Sequence, residues 1–415
     1  MPDEFVLGIQ QDANVTDVLE SLASNLTTSL AVFDNVWFDE VVTLEAQGDR
    51  DLSVLHVGYA GDVSLSDVLA YASFIPEVSW AAPNYQYSGE VLDFLPDDPA
   101  FGDQYHHTLM GNPVAWDVTL GDSDVVIAVT DEGVELDHPD LAPNIWENTA
   151  EVRGVAGVDD DSNGYIDDFN GWDFVGDDND PNPLIKDDDH GTHVAGIAAG
   201  VTNNGNQIAG VAGHASILPI RISGADGGFT SVIMADAFAY AIDNGARIAN
   251  TSFNINGFVG DPTFTAGLQY YYDNGGLHFN SAGNDDQLNP ARQAFHQTLL
   301  VASTTSLDEK SDFSNYGTGI DVAAPGSAVL STVTIGGIGF KSGTSMSAPN
   351  AAGAAALIWS ANPSYTRDQV AAQLLGTADN IDAENPEYVG LLGSGRVNTG
   401  RALAESLPAP TVWSL

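Results

Sequence analysis

The feature that most constrains the fold is a train of short apolar runs beginning at Val125. Val125-Val126-Ile127-Ala128-Val129 is nearly all apolar, and 217–222, 247–253, 276–280 and 299–302 are similar runs. Successive side chains of a strand point to opposite faces, so a strand apolar at every position must be covered on both sides. Longer segments with helical spacing, 192–199, 229–244, 263–274 and 347–359, lie between the runs. This alternation predicts an α/β fold, a doubly wound, mostly parallel central sheet flanked by helices. Such sheets place their sites at the carboxyl ends of the strands.

Residues 1–88 read differently, as a small α+β domain. Strands are expected at 5–9 and 54–59 and helices at 15–23 and 65–72, two rounds of strand and helix, and the segment 78–87, broken by Pro83 and Asn84, closes the unit. A linker at 89–104, rich in Asp, separates it from a main domain spanning 105–405, and 406–415 begins a second linker. No internal repeat is evident. The first residues lack the basic and apolar regions of a signal peptide, and the chain reads as trimmed at both ends.

The formal net charge of −47 argues against nucleic-acid and anionic-membrane partners and favours a soluble monomer. No apolar run is long enough to span a membrane. The absence of cysteine excludes disulfides, thiol catalysis and cysteine-ligated zinc.

Four segments carry groups suited to chemistry. Asp131 ends the first apolar run in Thr130-Asp131-Glu132-Gly133, either a turn residue or a site carboxylate. His190-Gly191-Thr192-His193 opens a helical segment, where the dipole disfavours excess positive charge and suits a general base. A metal pair is the rival reading of His190 and His193, without the His-Glu-x-x-His pattern of zinc peptidases. Asn284 closes Asn280-Ser281-Ala282-Gly283-Asn284, as a turn former or an oxyanion donor. Ser345, in Gly343-Thr344-Ser345-Met346-Ser347-Ala348-Pro349, is either a helix cap or a nucleophile.

Together and in this order, the four segments resemble the subtilisin-like serine peptidases, over roughly 101–405. The resemblance implies a serine endopeptidase acting on proteins or peptides. It implies Ser345 as nucleophile, His190 as general base and then acid, and Asp131 as its orienting partner. Asn284 and the N–H of Ser345 would form the oxyanion hole, and His193 would not react. Ser252, Phe253 and Asn254, with Gly283, would line the substrate groove, where a peptide adds as a strand. Two departures stand out. The chain has Asp131-Glu132-Gly133 where the family usually has Asp-Thr-Gly or Asp-Ser-Gly, and Ser252-Phe253-Asn254 where it usually ends the groove motif in Gly. Glu132 adds charge beside the triad and is expected to raise the pKa of His190. The first domain resembles the family's inhibitory propeptide. This implies a self-processing proenzyme inhibited by its own propeptide and secreted by a signal not present in this chain.

The acidic stretch Asp159-Asp160-Asp161-Ser162-Asn163-Gly164-Tyr165-Ile166-Asp167-Asp168 predicts calcium. Asp159, Asp161 and Asn163 take positions 1, 3 and 5 of a calcium loop, Gly164 takes position 6, and the carbonyl of Tyr165 suits position 7. Position 12 is Asn170 where a Glu is usual, so Asp168 closes the shell, with Asp167 in reserve. A solvated acidic loop explains the charges but not their alternation. The resemblance adds a second calcium site at Asp140, Asn204, Asn206 and Ile208. Two other functions use related features. An inactive binding protein on the same fold would keep the architecture. A serine esterase would show Gly-x-Ser-x-Gly and the order Ser, Asp, His, whereas this chain has the order Asp, His, Ser.

Overall fold

A computed structural model describes residues 3–10, 17–18, 21, 35–44, 52–60, 72, 75–83, 94–224 and 228–405. The chain divides into two compact units, Met1–Val91 and Leu92–Leu415.

The first unit contains an antiparallel sheet of β1 (Asp3–Gln10), β2 (Asn35–Leu44), β3 (Leu52–Ala60) and β4 (Val78–Pro83), ordered β2-β3-β1-β4. Sequence patterning anticipated β1 and β3, missed β2, and left the segment that carries β4 unassigned. Most of the expected helices 15–23 and 65–72, and the end of the closing segment 78–87, lie outside the described residues.

The second unit is built on seven parallel strands. These are β5 (Val126–Asp131), β6 (Trp172–Asp173), β7 (Ser216–Arg221), β8 (Ile248–Thr251), β9 (Leu277–Ser281), β10 (Thr298–Thr304) and β11 (Val322–Pro325). Their order is β11-β10-β9-β8-β5-β7-β6. Ile127 and Val129 enter one hydrophobic cluster, while Val126 and Ala128 enter the other. The same division separates Ile217 from Leu218 and Ile248 from Ala249. The apolar runs are therefore continuous because each strand feeds two cores.

Helices α1 (His190–Ala199) and α4 (Thr344–Ala361) share one cluster, and α2 (Ser231–Asp243) and α3 (Pro262–Asp273) share the other. Small residues let α4 sit deep in the protein. A Cβ added at Gly353 would stand 2.7 Å from the Cβ of Val211, closer than packing permits. A hairpin of β12 (Val329–Val333) and β13 (Gly337–Lys341) precedes α4. Among the described residues, no helix is long and apolar enough to cross a membrane.

The chain runs from β5 to β7 on one side, then crosses to β8 on the other. The crevice at that reversal, beyond the carboxyl ends of β5 and β8, is where doubly wound sheets bind ligands. Asp131 ends β5, and Ser252 follows β8 directly.

Candidate active site

Four separated segments supply the site. Asp131 is the last residue of β5, and only 1 % of it is exposed. His190 is the first residue of α1, and Ser345 the second of α4. Asn284 follows β9 by three residues on an exposed turn.

His190 Nδ1 lies 2.9 Å from Asp131 Oδ1 and 3.1 Å from Oδ2. A carboxylate accepts only, so Nδ1 carries the proton and Nε2 keeps its lone pair. Burial by itself lowers the His190 pKa, but the charge and hydrogen bond of Asp131, then the charge of Glu132, outweigh it and shift it upward. The expectation that the helix start would hold down the charge on His190 is thus corrected: nearby carboxylates dominate. His193 behaves in the opposite way. It is buried, its Nε2 donates to Gly339 O at 3.0 Å, and burial drives its pKa down to about 3. Nδ1 of His190 and Nε2 of His193 are thus both committed to protein oxygens, which leaves nothing in favour of a metal pair.

Ser345 Oγ donates to Ser252 O at 3.0 Å, and Ser252 Oγ donates back to Ser345 O at 2.9 Å. The carbonyl of Ser345 is available because residue 349, its usual partner one turn on, is Pro349. The nucleophile segment and the groove segment are thus tied reciprocally. Catalytic hydrogen bonds are often formed only with substrate in place, and a turn about the Ser345 Cα–Cβ bond redirects its hydroxyl.

The side-chain oxygen of Asn284 accepts from Thr344 N at 2.9 Å and from Thr344 Oγ1 at 2.8 Å. Thr344 Oγ1 in turn accepts from Gly283 N at 3.0 Å. With its oxygen anchored twice, Asn284 keeps Nδ2 as a donor on the Ser345 side, and Gly283 adopts the positive φ of 106° that the turn needs. Of the expected groove residues, Phe253 stands edge-on to His190, with ring centroids 5.6 Å apart. Asn254 is exposed and its side chain accepts from Asn256 N, forming a local turn.

The loop 159–168 folds on itself. Asp159 accepts from the N–H groups of Asn163 and Gly164, and Asp161 accepts from Asn163 N. Asn163 Oδ1 accepts from Tyr165 N. Oxygen atoms of Glu151, Asp159 and Asp161 lie within 4.8 Å of one another. Glu151, on the short helix Thr149–Arg153, is 2 % exposed and escaped the sequence reading. One oxygen of Asp167 is buried without a hydrogen-bond partner. Asp168 instead turns inward, accepting from Tyr240 Oη at 2.7 Å and from Asn148 and Asn163. Three converging carboxylates fit a hard cation with oxygen ligands.

At the second expected site, Asp140 accepts from Asn204 Nδ2 at 3.1 Å and Ile208 N at 2.8 Å, while Asn206 N donates to Asn204 Oδ1. Asp98, also missed by the sequence reading, joins them by accepting from the N–H groups of Asn203 and Asn204. Both carboxylates are buried. Burial and then the Asp140 and Asp97 charges raise the Asp98 pKa, against its backbone hydrogen bonds. A cation between such groups would relieve their repulsion, although each carboxylate oxygen here already accepts an N–H.

Residues 122–395 match the family model described as the subtilase family. Thermitase from Thermoactinomyces vulgaris is 36% identical over 312 residues, covering 75% of this chain and 99% of that protein. The halolysin-like extracellular serine protease Nep from Natrialba magadii is 38% identical over 330 residues, covering 79% and 56% respectively. A thermophilic serine proteinase from Bacillus sp. (strain AK1) is 33% identical over 363 residues, covering 87% and 81%. Among solved structures, a protease from Pseudoalteromonas arctica aligns with a TM-score of 0.61 at 30% identity, covering 74% of this chain and 98% of that one.

Proposed function

The chain belongs to the subtilase family and is a subtilisin-type serine endopeptidase, and from that premise we propose that it cuts peptide bonds with Ser345, His190, Asp131 and Asn284. The observation that carries this reading is the 2.9 Å bond between His190 Nδ1 and Asp131, made where the segments bearing Ser345 and Asn284 also meet.

Ser345 Oγ attacks the carbonyl carbon of the scissile bond, and its proton passes to His190 Nε2. Asp131 stabilises the imidazolium and fixes its tautomer. The negative oxygen of the tetrahedral intermediate accepts from Asn284 Nδ2 and from the N–H of Ser345. His190 then protonates the leaving amine, and the C–N bond breaks to give an acyl-enzyme. Water, losing a proton to His190, attacks the ester; the bond from the carbonyl carbon to Ser345 Oγ breaks, His190 returns the proton to Oγ, and the acid product leaves. Ser252, Phe253, Asn254 and Gly283 line the groove that holds the substrate strand. The test is casein hydrolysis. The wild type is expected to degrade casein, and Ser345→Ala is expected to be inert while keeping its melting temperature.

Calcium is the proposed structural ion. Glu151, Asp159 and Asp161, with Asp167, would hold it at the acidic loop, and Asp98, Asp140 and Asn204 would hold a second. The ion supplies charge neutralisation and takes no part in bond cleavage. Asp168 serves the loop from beneath, through Tyr240.

The first unit is the proposed propeptide, an intramolecular inhibitor. The chain is expected to cut itself between Tyr85 and Asp98, releasing a fragment of roughly 9–10 kDa, as the length of that unit implies. Intact mass measured during activation tests this. Active enzyme with the first unit still covalently attached would contradict it. Secretion is the proposed destination, supported by the extracellular relative Nep.

A further inference from the structure

The residue after the site aspartate is a glutamate, and the structure gives it a specific partner. Glu132 Oε1 accepts a hydrogen bond from the backbone N–H of His190 at 2.7 Å. That N–H is the first of α1 and has no partner inside the helix. The N-cap residue, Asp189, whose side chain would ordinarily accept from an N–H further into the first turn, makes no side-chain capping bond. Its carboxylate is instead paired with Lys341 Nζ at 2.6 Å. The backbone N–H of Glu132 meanwhile donates to Asp131 Oδ1 at 2.9 Å.

These bonds close a ring. Asp131 holds the imidazole of His190, the backbone of His190 is held by Glu132, and Glu132 holds Asp131. We propose that Glu132 is a positioning residue of the peptidase reaction, its carboxylate fixing the start of α1 so that the His190 ring stays against Asp131. The proposal rests on the triad reading above. A carboxylate here also favours the positive end of the helix dipole.

Several charges face this ring. Asp131 and Glu132 come from the end of β5, Lys341 comes from β13 with Asp189 as its partner, Asp188 precedes α1, and His193 lies one turn along α1. Glu132 favours the protonated His190 and Lys341 opposes it. Removing the Glu132 charge should therefore move the acid limb of kcat/KM to lower pH. Removing the hydrogen bond should lower kcat, since a loosened base is misplaced for proton transfer.

The test compares wild type, Glu132→Gln and Glu132→Ala as processed enzymes on a chromogenic peptide amide across pH. Active-site concentration is set by fluorophosphonate titration. Gln keeps the acceptor but not the charge. It should retain kcat within about threefold, with the acid limb lowered by about half a pH unit. Ala loses both and should lose on the order of tenfold to a hundredfold in kcat, with KM little changed. Ala with wild-type kcat, Gln no better than Ala, or an unmoved acid limb in Gln would each overturn the proposal. If Ala does not fold, the acid limb of the Gln variant decides. Wild type that hydrolyses the amide without labelling at Ser345 would instead sink the triad reading.

Discussion

The catalytic end of the sheet and the acidic loop at 151–168 are held by opposite means. Asp131, Ser252 and Asn284 hang from buried parallel strands, and Ser345 from a helix buried along almost its whole length. The loop has little regular structure beyond the short helix at its start, and its order comes from carboxylates accepting backbone N–H groups. One region is positioned by apolar packing, which is indifferent to ions. The other gathers like charges, whose repulsion must be offset by something bound. The chemistry is thus placed where solvent conditions matter least, and sensitivity to ions is concentrated in the walls around it.

The largest effect that would sharpen this contrast is at the oxyanion donor. Asn284→Ala should cost on the order of a hundredfold to a thousandfold in kcat. The melting temperature should fall only modestly, because the side chain is exposed and gives up just its two hydrogen bonds from Thr344. A large loss of stability in this variant would break the contrast from the catalytic side.

Chelation should act in the opposite sense. A ligand present at 100 times its Kd stabilises by about 2.7 kcal/mol, so removing calcium should lower the melting temperature by several degrees and expose the loop to cleavage. Turnover per labelled site should be preserved at temperatures where the fold survives. Asp161→Ala should weaken calcium binding in titration calorimetry, and binding equal to wild type would exclude the loop as a site.

Two histidines three residues apart should respond oppositely to pH. The His190 pKa is raised, so the acid limb of kcat/KM should lie above the ordinary value of about 6.5. His193 and His107, buried, have their pKa lowered to about 3. Between pH 6.5 and 3 the unfolded chain would bind protons at these residues while the folded one would not. Stability is therefore full above about 6.5 and falls as pH drops, by roughly 1 kcal/mol per histidine per pH unit. Melting curves from pH 8 to 4 check this, and a flat profile would contradict it.

Sodium chloride should give the smallest effect. With a net charge of −47, screening should raise the melting temperature by a few degrees in calcium-saturated buffer. The gain should be smaller in variants that remove acids from the loop.

The sheet was legible because apolar continuity has one explanation, burial on both faces. The motif residues were legible because they are adjacent in sequence to strand or helix ends. The hairpin was not. Its turn carries Ile335 at a φ of 63°, a conformation for which Gly or Asn is the usual signal. Glu151 and Asp98 were also hidden, since what marks them is burial beside other carboxylates, which only the folded chain creates. Edge strands as short as β6 leave no periodicity to read.

Labelling of the processed enzyme with a fluorophosphonate, followed by peptide mapping, shows directly whether Ser345 is the nucleophile. One adduct is expected, on Ser345, formed in step with loss of casein hydrolysis and abolished in His190→Ala. Casein hydrolysis that continued with Ser345 unlabelled, or with the label on another residue, would contradict that assignment.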